Sequence, residues 1–204
     1  MIKPIKVAVV AALVGLAACS PAETEAPTPL AEGTWSIDSE ASRLSYVTVK
    51  SGEIAEANDF TGLTGTVAPD GAATIEIDLA TVSTGVDIRD ERMREVFFDV
   101  AKFPTATITA QVDPAAFEAL GVGESTVQTL AATVAVKGVS TNINAELEVT
   151  RVADNRVLAV STEPVIIYAD ALDLTEGLDQ LQELAGLPSI TPAVPVTFSL
   201  AFER

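Results

Sequence analysis

No histidine occurs anywhere in this chain. That removes the usual general base, the Ser-His-Asp triad and the commonest metal ligand together. Cysteine is almost absent too, with Cys19 alone, so neither an internal disulfide nor a Cys-built zinc site can form. Cations are scarce: 12 Lys and Arg face 29 Asp and Glu, a formal net charge of −17 at pH 7. So acidic a surface repels phosphate backbones and anionic headgroups, which argues against nucleic acid as a partner. Aromatic residues make up 5% of the chain although apolar residues make up 48%. The core must therefore be built mostly from Val, Ile, Leu and Ala. No phosphate-binding G-K-[ST] loop, no G-x-G-x-x-G and no acidic calcium loop is present. A paired-carboxylate enzyme is the one catalytic class left open, and no arrangement singles out a pair. The chain reads as a non-enzyme with no cofactor and no metal.

What is present begins with an export signal. Lys3 and Lys6 precede an uncharged, mostly apolar run from Val7 to Ala18. Twelve residues are too few to cross a hydrocarbon core, which needs about 20, but they suit a signal-peptide core. The run ends Leu16-Ala17-Ala18-Cys19, which resembles a bacterial lipobox. Residues 1–18 are expected to be removed, with Cys19 carrying a diacylglyceryl group and an acylated amine. Several acyl chains, at about 0.8 kcal/mol per buried CH₂, would anchor the protein in a membrane. Ser20 stands where Asp would signal inner-membrane retention, so the expected location is the outer membrane, facing the periplasm. Residues 19–33, rich in Pro, Ala, Glu and Thr, cannot bury enough surface to fold and read as a tether. Such a coil spans roughly 20 Å on average. Exchange with the anchoring bilayer is the expected consequence.

From residue 34 onward the period is two. Ile75 and Ile77 alternate with Thr74 and Glu76; Ile108 with Thr107 and Thr109; Val134 and Val136 with Thr133 and Ala135; Leu147 with Glu146 and Glu148; Phe198 with Thr197 and Ser199. Further strands are expected at 42–50, 60–68 and 156–168, about eight in all. One-face burial over so many strands implies an antiparallel sheet closed on itself, or a sandwich. Two helical insertions interrupt the pattern. The first is expected to start at Asp87, as N-cap, with Met93, Val96 and Phe97 on one face and an Asp90–Arg94 surface pair. The second has Asp173 and Glu176 at capping-box spacing, a Leu178-Leu181-Leu184 stripe, and Gly186 as its stop. Either stripe packs a core or covers a barrel mouth.

A family resemblance enters on these residues. Trp35-Ser36-Ile37-Asp38 is followed by Ser42-x-Leu44-x-Tyr46 and then by Asn58-Asp59-Phe60-Thr61-Gly62. Val82-Ser83-Thr84-Gly85, Arg89-Asp90-Glu91-Arg92-Met93, Phe97-Phe98-Asp99-Val100, Phe103-Pro104 and Val136-Lys137-Gly138-Val139 come next, in order. Residues 34–204 resemble the YceI-like, lipid- or polyisoprenoid-binding proteins. The resemblance implies an all-β fold: an eight-stranded antiparallel barrel, extended and lipocalin-like, with one or two short helical insertions. It also implies a long isoprenoid or fatty-acyl chain held inside the barrel. The known members are soluble periplasmic proteins, and the lipobox departs from them.

Candidate pocket residues follow from aromatic and inward-facing positions. Tyr46, Phe60, Ile75, Ile77, Phe97 and Phe98 form one group. Phe103, Ile108, Val134, Val136, Leu147 and Phe198 form the other. Arg89 and Asp90 have two readings: contact with a ligand headgroup at the mouth, or a brace for the helical loop. The expected partners are an apolar lipid inside and a membrane through Cys19. Oligomeric state is open, with a homodimer among the options. The competing function is an envelope structural or interaction module with no internal ligand.

Overall fold

The computed structural model describes Leu30 and residues 32–204. Cys19, the leader and most of the tether lie outside the described residues. Twelve antiparallel strand segments form the sheet. They are β1 (Trp35–Ile37), β2 (Arg43–Lys50), β3 (Ile54–Phe60), β4 (Leu63–Val67), β5 (Ala72–Asp78) and β6 (Val82–Ser83), followed by β7 (Thr105–Gln111), β8 (Ser125–Val136), β9 (Val139–Ala153), β10 (Arg156–Ser161), β11 (Val165–Tyr168) and β12 (Ala193–Glu203).

The pairings resolve these segments into eight staves. β1 and β2 form one bent stave, as do β3 and β4, β5 and β6, and β10 and β11; β7, β8, β9 and β12 are unbroken. Each stave pairs with the next in sequence. β12 closes the ring, bonding β10 and β11 on one side and β1 and β2 on the other. The result is the closed antiparallel barrel that the resemblance implied, and the sandwich alternative falls. The expected strands at 60–68 and 156–168 are each broken, at residues 61–62 and 162–164.

The breaks have local causes. Gly62 N–H donates to the Thr81 hydroxyl at 2.9 Å, and Asp78 N–H donates to the Gly62 carbonyl at 2.8 Å. The kinks of two neighbouring staves are thereby locked together. A Cβ at Gly62 would lie 2.7 Å from the Thr81 methyl and 2.9 Å from Asp78 Cβ. Ser42, wholly buried, fills the break between β1 and β2: its hydroxyl accepts from Ala201 N–H at 3.0 Å. Lys137 and Gly138, with φ of 50° and 82°, make the two-residue turn joining β8 to β9, the twist-compatible geometry for a tight hairpin.

The two ends of the barrel differ. At the base lie the turns between β4 and β5, β7 and β8, and β9 and β10. There the interior is filled: Leu63, Leu147, Val149 and Phe202 are buried in the core, with Trp35, Ile37 and Ile75 packed against it. Arg151 is buried at this end, donating to the Leu120 carbonyl at 3.0 Å and paired with Asp154 at 2.9 Å. Both helical insertions sit at the other end. α1 (Asp87–Arg92) runs into a wider π turn over Met93–Phe98, which ends at Asp99 in the left-handed region. α2 (Thr175–Ala185) ends at Gly186, φ 63°, as the sequence indicated.

The expected caps are corrected. Asp87 is the first helical residue, not the cap, and Val86 precedes it without a side-chain bond. Asp90 turns back to Thr84, accepting from its N–H at 2.8 Å and its hydroxyl at 2.5 Å, and no ion pair to Arg94 is among those described. Leu174 caps α2, while Asp173 terminates the preceding turn. The π turn changes the period, so Phe97 and its neighbour Phe98 are both buried.

Candidate ligand cavity

A cavity of about 540 Å³ occupies the half of the barrel nearest the helical insertions. That volume lies within the range of about 300–1,000 Å³ typical of small-molecule sites. Its polarity is graded along two adjacent strands. On β2 the inward residues run Lys50, Thr48, Tyr46, Leu44 from mouth to floor. On β3, Glu56 faces Thr48, Asn58 faces Tyr46 and Phe60 faces Leu44. A charged rim thus gives way to a neutral polar collar, and the collar to an apolar floor.

The remaining walls are almost entirely apolar. Ile77, Leu79, Ala106, Ile108, Val134, Val136 and Phe198 come from the staves. Leu178, Leu181 and Leu184 come from the α2 stripe, which takes both readings left open by the sequence. Leu178 and Leu181 pack on the core, whereas Leu184, 48% exposed, stands on the rim with Val86 and Ile88. Gly177 seats α2 against Phe97, because a Cβ there would come 3.1 Å from the ring. Arg92 donates to the Leu184 carbonyl at 3.1 Å and ties the two insertions together. An aromatic chain lines one wall, with ring centroids 5.4 Å apart for Tyr46–Phe60, 5.9 Å for Phe60–Phe98 and 4.8 Å for Phe97–Phe98. These separations fall in the favourable range for tilted and edge-to-face pairs.

Three cations, Lys50, Arg89 and Arg92, line the cavity, and no carboxylate does so among the described residues. Glu56 stands beside them, paired with Lys50 and, at 2.5 Å, with Arg89. The hydrogen bond from Lys50, then that from Arg89, holds the Glu56 carboxyl below its ordinary pKa. Arg89 therefore lines the mouth and braces it at once, joining α1 to β3. Asp90 braces the loop but does not reach the cavity. Burial pushes the Tyr46 phenol well above its ordinary pKa, so it stays protonated.

Of the twelve residues expected in the pocket, Tyr46, Phe60, Ile77, Phe97, Phe98, Ile108, Val134, Val136 and Phe198 line the cavity. Three do not. Ile75 and Leu147 belong to the filled base half. Phe103, half-buried in the loop before β7, is not part of the lining and has Lys102 Nζ 4.9 Å from its ring centroid. The sequence reading missed Leu44, Thr48, Lys50 and Asn58. For Thr48, Lys50 and Asn58 the signal was a polar residue at inward register on β2 and β3, where an ordinary core would place an apolar one; Leu44 carried no signal beyond the alternation of β2. Among the described residues no cluster of acidic or thiol groups is placed to hold a metal.

A closed eight-stave antiparallel barrel, filled at one end and hollow at the other, defines a lipocalin-like fold. The YceI-like domain model matches residues 35–202. The chain belongs to that family. It is similar to a polyisoprenoid binding domain from Saccharophagus degradans implicated in plant cell wall breakdown, at 36% identity and a TM-score of 0.81, covering 83% of this chain and 98% of that one. Burkholderia cenocepacia BcnA shares the fold at 16% identity and a TM-score of 0.63, covering 81% of this chain and 98% of its own. A Campylobacter jejuni YCEI protein does so at 15% and 0.53, covering 72% and 84%. No curated protein matches the chain.

Proposed function

We propose that this protein binds the apolar chain of a long lipid, a polyisoprenoid or fatty-acyl chain, inside its barrel and serves as a carrier or store in the cell envelope. The observation that carries this reading is the hollow half-barrel, walled by aliphatic and aromatic side chains and open beside two helices. Apolar burial supplies about 25 cal/mol per Å² of surface removed from water. Among the described residues no charged or nucleophilic group reaches the cavity floor, which favours a binding protein over an enzyme. The relative from Saccharophagus degradans, described as polyisoprenoid-binding, supports the same ligand class. The lipobox at Cys19 supports export and anchoring.

Filling the cavity tests this directly. Ala106 lies on its wall, 3% exposed, and Ala106→Phe would project a ring into the hollow. We expect long-chain isoprenoid binding, followed by calorimetric titration, to weaken at least tenfold while the far-UV circular dichroism stays unchanged. Undiminished binding by a folded variant would remove the cavity from the account.

A further inference from the structure

The collar between rim and floor holds two polar atoms with nothing to bond. Tyr46 and Asn58 are register partners on β2 and β3, both facing the cavity. They are 7% and 1% exposed. Neither the Tyr46 hydroxyl nor Asn58 Oδ1 has a hydrogen-bond partner among the described residues. A buried polar group left unmet is costly, so native proteins rarely keep one without a use. Two such atoms on adjacent strands, at the wall of an otherwise apolar cavity, form a built site.

Their chemistry restricts what fits. Asn58 Nδ2 donates to Thr48 Oγ1 and to the Glu56 carbonyl, each at 3.2 Å. The Glu56 carbonyl can only accept, so the atom facing it must be the amide nitrogen. That leaves Oδ1 as the unpartnered atom, a pure acceptor on a residue of the cavity wall. The phenol, kept protonated by burial, is a donor as well as an acceptor. A matching ligand group must donate to Asn58 and accept from Tyr46. A hydroxyl does both with one atom. A carbonyl or ether accepts from Tyr46 and leaves Asn58 unmet. A phosphate or carboxylate brings negative charge to Oδ1 and no proton for it at neutral pH. The rim cations stand outside the collar: Lys50 and Arg89 share Glu56, and Arg92 donates to the Leu184 carbonyl.

We propose that the collar of Tyr46 and Asn58 selects a neutral hydroxyl at the head of the bound chain, which makes the preferred ligand a long-chain alcohol. This rests on the reading of the barrel as an apolar-chain site. The tail fills the floor beside Leu44 and Phe60, and the hydroxyl stops at the collar, inside the charged rim.

The test is calorimetric titration of the full chain with three probes: geranylgeraniol, its methyl ether and its monophosphate. The alcohol is expected to bind at least tenfold tighter than the ether, about 1.4 kcal/mol, and tighter than the phosphate. Asn58→Leu should bring alcohol and ether to near-equal affinity. Tyr46→Phe, which removes only the hydroxyl, should weaken both alike without lowering the melting temperature of the unliganded protein. Equal binding of alcohol and ether by the unaltered protein overturns the collar and leaves the apolar cavity standing. So does tighter binding of the phosphate. If Asn58→Leu does not fold, unchanged affinities in Tyr46→Phe overturn it. Binding of none of the three defeats the apolar-chain reading itself.

Discussion

At the scale of single residues, the informative ones break the alternation they belong to. Glu56 and Asn58 occupy inward register on β3, and Lys50 and Thr48 do so on β2, where apolar residues would complete a core. Glu56 is depressed in pKa by Lys50 and Arg89. A group whose folded pKa lies below its unfolded one stabilises the fold above the unfolded value, about 4.3. That contribution disappears as pH falls through the folded value. Acidification into that window should therefore release Arg89 and loosen the tie between α1 and β3, seen as faster amide exchange across residues 84–92. Glu56→Gln should reproduce the loosening at neutral pH, and an exchange rate insensitive to both changes would contradict the brace. Arg89→Ala is expected to lower the melting temperature by a few degrees, since it removes a partly buried pair. Such pairs are worth little at a surface and more when partly shielded.

At the scale of elements, the sequence disclosed strands better than their breaks. Ile75 to Ile77 and Val134 to Val136 show the period of two plainly, and those strands stand where expected. The bends at 61–62 and 162–164 were hidden because they depend on contacts with other staves. Gly62 is informative only once Thr81 lies against it. Gly62→Ala should destabilise the protein by about 1–3 kcal/mol, the usual cost of overpacking, measured as a lower denaturant midpoint. No change in midpoint would show that the two kinks are not locked. The first helical insertion misled for a related reason. A 3.6-residue period over Met93, Val96 and Phe97 does not foresee a π turn, which swings Phe98 into the core beside Phe97. Two expected pocket residues lie off the cavity because register does not say how deep a side chain sits. Ile75 and Leu147 face inward, but at the filled base.

At the scale of the whole molecule, the mouth and the point where the chain joins the barrel are at opposite ends. β1 pairs with the last residues of β12, and Gly33 lies against Arg204, while the cavity opens beside α1 and α2. If Cys19 anchors the chain, as the sequence reading expects, the anchor joins the barrel at its base. Exchange with the bilayer would then have to reach round the barrel to the mouth, whereas hand-over to a partner facing the mouth would not. Cys19→Ser should free the protein from the membrane fraction and leave lipid binding intact. Retention in that fraction would refute anchoring by Cys19. The central claim is that the barrel's hollow half holds a lipid. Native mass spectrometry of the protein as purified from its own cells tests it most directly. A discrete non-covalent mass that extracts into organic solvent, and that is missing from Ala106→Phe, is the expected result. An unliganded mass for the unaltered protein, together with failure to take up any long-chain lipid offered to it, would contradict it.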